Sequence, residues 1–263
     1  MLSAGEGFEG YVVDAPIGHG GSATVYRIHD AERPDRVVAL KILDDHNRHL
    51  AEIGRLRREF EFAHRLDHPN VVTVYERGPG WLTMELVTGG GVQRLRTVAE
   101  RLTALGQIAD ALDYTHNRAI VHCDVKPANI LVEPDGSRAV LIDFGVAVTL
   151  ADDICRRPTQ VETSLPYSAP ELLTGHAPTE ATDVYALACT TVELITGSPP
   201  FPHNDGMTLV DAHLHEAPPK LSRRTPWLPR AFDSIVAKAL AKKPADRYQS
   251  CREFVALITR ALQ

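Results

Sequence analysis

Val121-His122-Cys123-Asp124-Val125-Lys126-Pro127-Ala128-Asn129, then Ile142-Asp143-Phe144-Gly145, then Ala169-Pro170-Glu171, form the stretch on which the reading of the fold depends. Asp124 offers a carboxylate that can take or orient a hydroxyl proton. Lys126 offers a fixed cation, and Asn129 a side-chain oxygen for a metal ion, all in one loop. Asp143, just before a Phe-Gly pair, adds a second acidic oxygen. Moving a phosphoryl group needs such a set held together: a carboxylate for the acceptor hydroxyl, metal ions on the phosphates and positive charge in place. A single triplet recurs by chance, whereas three in this order do not.

The three motifs resemble the catalytic loop, the metal-binding Asp-Phe-Gly and the Ala-Pro-Glu signature of protein kinases. His68-Pro69-Asn70-Val71 and Gly20-Gly21 make the chain similar to the bacterial, eukaryotic-like (Hanks-type) serine/threonine kinases. Cys123 before the aspartate makes it similar to their non-RD type. The resemblance covers roughly residues 8 to 262. It implies an α+β, bilobal protein-kinase fold: a small antiparallel-sheet N-lobe with one main helix and a larger, mainly helical C-lobe. The expected division of one kinase domain, 1–263, is an N-lobe over about 8–87, a hinge over about 85–91 and a C-lobe over about 92–262.

Composition agrees with a globular protein of that size. The chain has 263 residues, 44% apolar and 24% charged, an ordinary balance for a soluble domain. A net charge of −6 argues against nonspecific binding to nucleic acid or anionic membranes. No run of about 18 apolar residues could span a bilayer, and the N-terminus lacks a basic, then apolar, signal pattern. Four cysteines, at 123, 155, 189 and 251, have no metal-type spacing and are too few for a disulfide framework. The expected compartment is the cytoplasm.

Outward from the motifs, Tyr11-Val12-Val13 and Thr24-Val25-Tyr26 read as strands joined by Gly18-His19-Gly20-Gly21-Ser22-Ala23. Glycine lets such a turn approach phosphates closely, though a plain hairpin turn has the same signature. Val38-Ala39-Leu40-Lys41 reads as a strand ending in a lysine. Ile53, Leu56, Phe60 and Ala63 recur at helical spacing and carry Glu59 with them. Val71 to Tyr75 and Trp81 to Leu86 predict a strand pair around Gly78-Pro79-Gly80, leading into Val87-Thr88-Gly89-Gly90-Gly91 as a flexible tether. Val98, Leu102, Leu105, Ile108 (or Ala109) and Leu112 predict a helix over Thr97 to Asn117. Ile130 to Val132 and Ala139 to Ile142 predict a hairpin with a Pro134-Asp135-Gly136 turn. Residues 146 to 168 read as a polar loop with hydroxyls at Thr149, Thr159, Thr163 and Ser164. An apolar helix is predicted from Asp183 to Gly197, a mixed, proline-rich stretch from Leu209 to Pro229, and helices over Ala231–Leu240 and Gln249–Leu262.

The resemblance assigns roles to these positions. Asp124, Lys126, Lys41, Glu59 and Ser164 are implied as catalytic, with Glu59 pairing Lys41 and Ser164 bridging Asp124 and Lys126. Nucleotide binding is implied for Ile17, Gly18, His19, Gly20, Gly21, Ser22, Ala23, Val25, Ala39, Lys41, Met84, Glu85, Val87, Asn129, Leu131 and Asp143. Met84 would pack behind adenine, and the backbones of Glu85 and Val87 would bond the base. Asn129 and Asp143 would hold Mg²⁺ or Mn²⁺, and ATP is the implied donor. Asp183 would hold the catalytic-loop backbone, and Arg247 would pair with Glu171. The implied partners are proteins with serine or threonine acceptors, and a second copy of the chain is a candidate.

The sequence departs from the family pattern in three places: Ala23 for a third glycine, Thr163-Ser164 for Gly-Thr, and Cys123 for an arginine. A thiol cannot make the charge-assisted contact by which that arginine orders a phosphorylated loop. The expectation is therefore an active arrangement that needs no phosphate clamp at position 123. Cys123 reads as a packed residue rather than a redox sensor, and Cys155 as the more exposed thiol. His64, His116 and His213 read as core or surface residues. Two other functions compete: a pseudokinase scaffold, which would lack one of the catalytic groups, and a small-molecule phosphotransferase. Lys126, Ala169-Pro170-Glu171 and Asp183 speak against the second.

Overall fold

The computed structural model describes residues 2–150 and 165–263. Seven helices and ten strands follow among these residues. β1 (Gly7–Phe8), β2 (Tyr11–His19), β3 (Ala23–Asp30) and β4 (Val37–Leu43) run antiparallel. α1 (Leu50–Ala63) crosses over before β5 (Val74–Gly78) and β6 (Trp81–Met84) complete a six-stranded sheet in the order β1-β2-β3-β4-β6-β5.

Side chains alternate across a strand, and that period decides where Lys41 points. Tyr26, Ile28, Val38, Leu40 and Ile42 bury together with Tyr11 and Val13 on one face. Ala39 and Leu43, on the other face, join the main core with Leu56, Phe62 and Ala63 of α1. Lys41 lies between Ala39 and Leu43 on the same face and points toward α1. Each large apolar side chain so buried contributes roughly 1.5–3 kcal/mol.

The second part is helical. α2 (Val98–His116) starts at Thr97, whose hydroxyl accepts from the Glu100 N–H at 3.2 Å while the Glu100 carboxylate accepts from the Thr97 N–H at 2.9 Å, a reciprocal cap. β7 (Ile120–Val121) leads into the Asp124 loop, and β8 (Ile130–Val132) pairs with β9 (Ala139–Leu141). β10 (Val148–Thr149) pairs with β7, so the stretch expected to be wholly loop from 146 onward begins with a short strand. α3 (Pro170–Leu173), α4 (Glu180–Thr196), α5 (Gly206–His215), α6 (Arg230–Ala239) and α7 (Cys251–Leu262) complete the chain. α4 is almost wholly buried and packs on α2, α6 and α7. It ends at Gly197, whose φ of 86° closes the helix in the left-handed region.

Several boundaries differ from expectation; β2 and β3 extend beyond the stretches read as strand, to Tyr11–His19 and Ala23–Asp30. β5 starts at Val74, because Val71 and Val72 instead bond the strand leading to Asp143: Val72 N–H donates to the Leu141 carbonyl at 3.0 Å. β6 stops at Met84 rather than Leu86. α4 begins at Glu180, a turn earlier than read, and α5 occupies part of the stretch read as mixed. The glycine run after β6 is packed rather than a loose tether. A Cβ on Gly89 would lie 2.2 Å from the Val132 carbonyl oxygen, and Val132 N–H donates to Gly90 at 2.8 Å. Glycine is needed there for close approach. Among the described residues no helix is long and apolar enough to cross a membrane.

Candidate active site

Lys41 on β4 and Glu59 on α1 meet at 2.7 Å, and Lys41 Nζ also lies 3.8 Å from Asp143. Burial alone would lower the lysine pKa, but the Asp143 and Glu59 carboxylates outweigh it and hold the ammonium above its usual value. Burial pushes the Glu59 carboxyl up to about 7, against the pull of Lys41. Burial also acts against ionised Asp143, yet Lys41, Arg55 and the Gly145 N–H together bring it down to about 2. Asp143 is therefore an anion at neutral pH, as a metal ligand must be.

Arg55 sits one helical turn before Glu59. A Cβ on Gly145 would fall 2.8 Å from its Cγ, so glycine at this position admits the arginine beside Asp143. Asp143 and Cys123 both carry a φ of 66°, a conformation non-glycine residues rarely adopt and which tends to mark functional segments. Phe144 is fully buried and meets His122 edge-on, centroids 4.7 Å apart.

In the loop after β7, Lys126 Nζ donates to Asp124 Oδ2 at 2.8 Å. Asn129 Nδ2 donates to the Asp124 carbonyl at 2.8 Å and to Asp124 Oδ2 at 3.0 Å. Both amide hydrogens are then engaged, which leaves Asn129 Oδ1 as an acceptor for a cation. Ile142 N–H donates to the Asn129 carbonyl at 3.0 Å. The β8–β9 hairpin so places Asn129 at the head of one strand and Asp143 beyond the end of its neighbour.

The loop is fixed from α4. Asp183, fully buried, accepts from the His122 N–H and the Cys123 N–H, each at 2.8 Å, and contacts His116 Nε2 at 2.8 Å. Lower down, Arg247 grips Glu171 with two bonds of 2.8 Å. Its remaining donors reach carbonyls of Ala241, Ala181 and Lys242.

The expected nucleotide-contacting positions lie on β2, β3 and their turn, on β4, at and just after the end of β6, and at the β8–β9 hairpin. Ala39 pairs with Met84 across β4 and β6, and both are buried. Leu131 bridges Gly91. Gly20, Gly21 and Ser22 form the turn between β2, which ends in Gly18 and His19, and β3, which starts at Ala23 and carries Val25; Ile17 is 49% exposed. Glu85 N–H is taken by the Thr73 carbonyl at 2.8 Å. The Glu85 carbonyl and the main-chain groups of Val87 have no hydrogen-bond partner among the described residues. Those free groups fit a purine edge, and the Asn129–Asp143 oxygen pair fits a hard divalent cation.

Thr159, Thr163, Ser164 and Cys155 lie outside the described residues. The Cys123 thiol is pushed well above the ordinary range by burial and then by the Asp183 and Asp124 carboxylates. Asp113, His116 and Cys251 bring ligand atoms within 4.8 Å of one another. Sequence spacing gave no hint of this, since Cys251 comes from another helix. Asp113 caps α7, accepting from the Cys251 and Arg252 N–H groups, and His116 serves Asp183, so the cluster is structural. Sequence reasoning also missed Arg55, which belongs to no motif, and read His116 as core or surface without its bond to Asp183.

Comparison with known proteins bears on the family and the fold. The sequence profile of the protein kinase domain matches residues 11–257. Serine/threonine-protein kinase PknJ of Mycobacterium tuberculosis is 38% identical across 99% of this chain. Serine/threonine-protein kinase PrkC of Bacillus subtilis is 35% identical across 95%. The chain spans 47% of the first and 40% of the second, about half the length of such relatives or less. A crystal structure of the Mycobacterium tuberculosis PknI kinase domain superposes with a TM-score of 0.77 at 33% identity, covering 100% of both chains.

Proposed function

Because the chain belongs to the protein kinase domain family, we propose that it transfers the γ-phosphoryl group of ATP to serine and threonine hydroxyls of proteins, its own included. What carries the reading is that Lys41 lies between Glu59 and Asp143 while Lys126 and Asn129 both hold Asp124. These are charged groups of the kinds that phosphoryl transfer requires.

Asp124 takes or orients the acceptor's hydroxyl proton. Lys126, already beside that carboxylate, offsets charge on the phosphoryl group as it moves. Lys41, aimed by Glu59, holds the α- and β-phosphates. Asn129 and Asp143 would hold the divalent cation, Mg²⁺ or Mn²⁺, which neutralises phosphate charge when bound. Ser164 completes the proposed catalytic set. The lobes are proposed to divide at the segment of residues 85–91, with the cleft between them and the cytoplasm, where ATP is available, as the working compartment.

Incubation with labelled ATP, Mg²⁺ and a generic basic protein tests the reading. The expected product is phosphoserine or phosphothreonine. ATP binding without any transfer to a protein would favour a scaffold, and phosphorylation of a sugar or antibiotic alone would favour a small-molecule phosphotransferase.

A further inference from the structure

Arg138 lies on the turn of the β8–β9 hairpin, away from every catalytic group, yet it reaches the hinge. Its Nη1 donates to Glu85 Oε2 at 2.8 Å and its Nη2 to Glu85 Oε1 at 3.1 Å. Two parallel bonds from a planar fork to one carboxylate fix orientation as well as distance. The Arg138 Nε donates to the Pro69 carbonyl, and Glu85 Oε1 also accepts from the Thr73 N–H at 2.8 Å. Glu133 stands 3.5 Å from the same guanidinium. The pair is largely shielded, with Glu85 16% and Arg138 29% exposed.

What the pair joins gives it significance. Glu85 is the residue whose carbonyl, free of a hydrogen-bond partner among the described residues, is proposed to bond the base. Arg138 immediately precedes β9, the strand that leads to Asp143, and its carbonyl accepts from the Glu133 N–H at 2.9 Å to close the hairpin. The hairpin itself is seated firmly. Asn70 Nδ2 donates to the Ala139 carbonyl at 2.7 Å, and the Ala139 N–H donates to Gln107 of α2 at 2.6 Å. The Glu85 side chain thus fastens the base-binding segment to a strand pair that cannot shift independently of the helical part.

We infer that Glu85 and Arg138 form a positioning latch that sets the spacing between the hinge backbone and the metal-holding ends of the β8–β9 hairpin. The latch rests on the kinase reading above. It acts on how well the nucleotide's two ends are matched at once, and so on affinity rather than on the transfer step. A merely structural ion pair would affect melting temperature without affecting KM.

The test compares R138M, E85Q and the double variant with the wild type, measuring KM for ATP, kcat and melting temperature. Each single change is expected to raise KM about tenfold, the order of one lost charge-assisted hydrogen-bond pair. kcat should stay within about twofold, and the double variant should be no worse than R138M, because both changes break the same link. Should R138M fail to fold, R138K and E85Q carry the test, with R138K expected between wild type and E85Q. KM unchanged or lowered in the folded variants of a wild type that binds ATP overturns the latch alone. A wild type that binds no ATP overturns the kinase reading and the latch together.

Discussion

Asp183 and His116 lie 2.8 Å apart in the centre of the helical part, and the same carboxylate holds the two N–H groups just ahead of Asp124. Burial works against a charged His116, but the hydrogen bond and charge of Asp183 prevail and raise its pKa above 6.5. The same bond and charge lower Asp183, also against burial. A raised histidine contributes stability that is complete below its unfolded value of about 6.5 and lost as pH rises through the folded value. The lowered aspartate contributes above about 3.8 and loses its contribution as pH falls further. The stability gap between wild type and H116Q should therefore be widest below pH 6.5 and narrow as pH rises above it. Urea unfolding at several pH values checks this; a gap that widens with pH would contradict it.

Lys41→Met should cut phosphoryl transfer by at least about a hundredfold, the scale of removing one aimed electrostatic contact. Glu59, 3% exposed, is then left without its cation. Since burial already pushes its carboxyl up to about 7, it can take a proton instead of forcing the fold apart. The variant should accordingly keep wild-type circular dichroism at neutral pH while losing activity.

Glu171→Ala removes the partner of Arg247, whose side chain is fully buried. Removing one partner of such a pair costs about 3–5 kcal/mol, readable as a lower urea midpoint. Thr182 also loses its acceptor, as its hydroxyl donates to Glu171 at 2.7 Å. Because this network lies in α3, α4 and the segment before α7, ATP affinity of the folded fraction should stay near wild type.

Cys123 provides no cation for a phosphorylated loop, and the Asp124 loop is held from Asp183 instead. Phosphatase treatment should change the rate by less than about threefold, well below the effect of losing an ordering charge-assisted contact. The thiol, pushed well above its usual range, should react with iodoacetamide at pH 7 far more slowly than a free thiol. A large drop in rate after dephosphorylation would count against the first expectation, and rapid alkylation against the second.

Much of this architecture was legible because interior charges come in pairs and motifs fix both members. Lys41 with Glu59, Glu171 with Arg247 and Asp183 with the loop backbone all sit where motif order implied. The strand Val148–Thr149 was not legible: two residues carry no periodicity, and their partner strand is Ile120–Val121, far back in the chain. α5 was hidden because its buried residues, Leu209, Ala212 and His213, interleave with polar ones in a proline-rich stretch. Glu85–Arg138 and His116–Asp183 join residues with no shared motif, so only the folded chain brings them together. The packed glycines at 89–91 read as flexible because composition shows that glycine is present but not what it abuts.

Asp124→Asn is the most direct measurement of the central claim, since it replaces the carboxylate by an isosteric amide and leaves Lys41, Asn129 and Asp143 in place. With labelled ATP and a protein acceptor, transfer should fall by about a thousandfold or more, on the scale of losing both the hydroxyl's base and its electrostatic partner. Nucleotide affinity, measured on the same sample, should change little. Transfer at the wild-type rate, or loss of nucleotide binding with the fold intact, would contradict the assignment of Asp124 to the reacting hydroxyl.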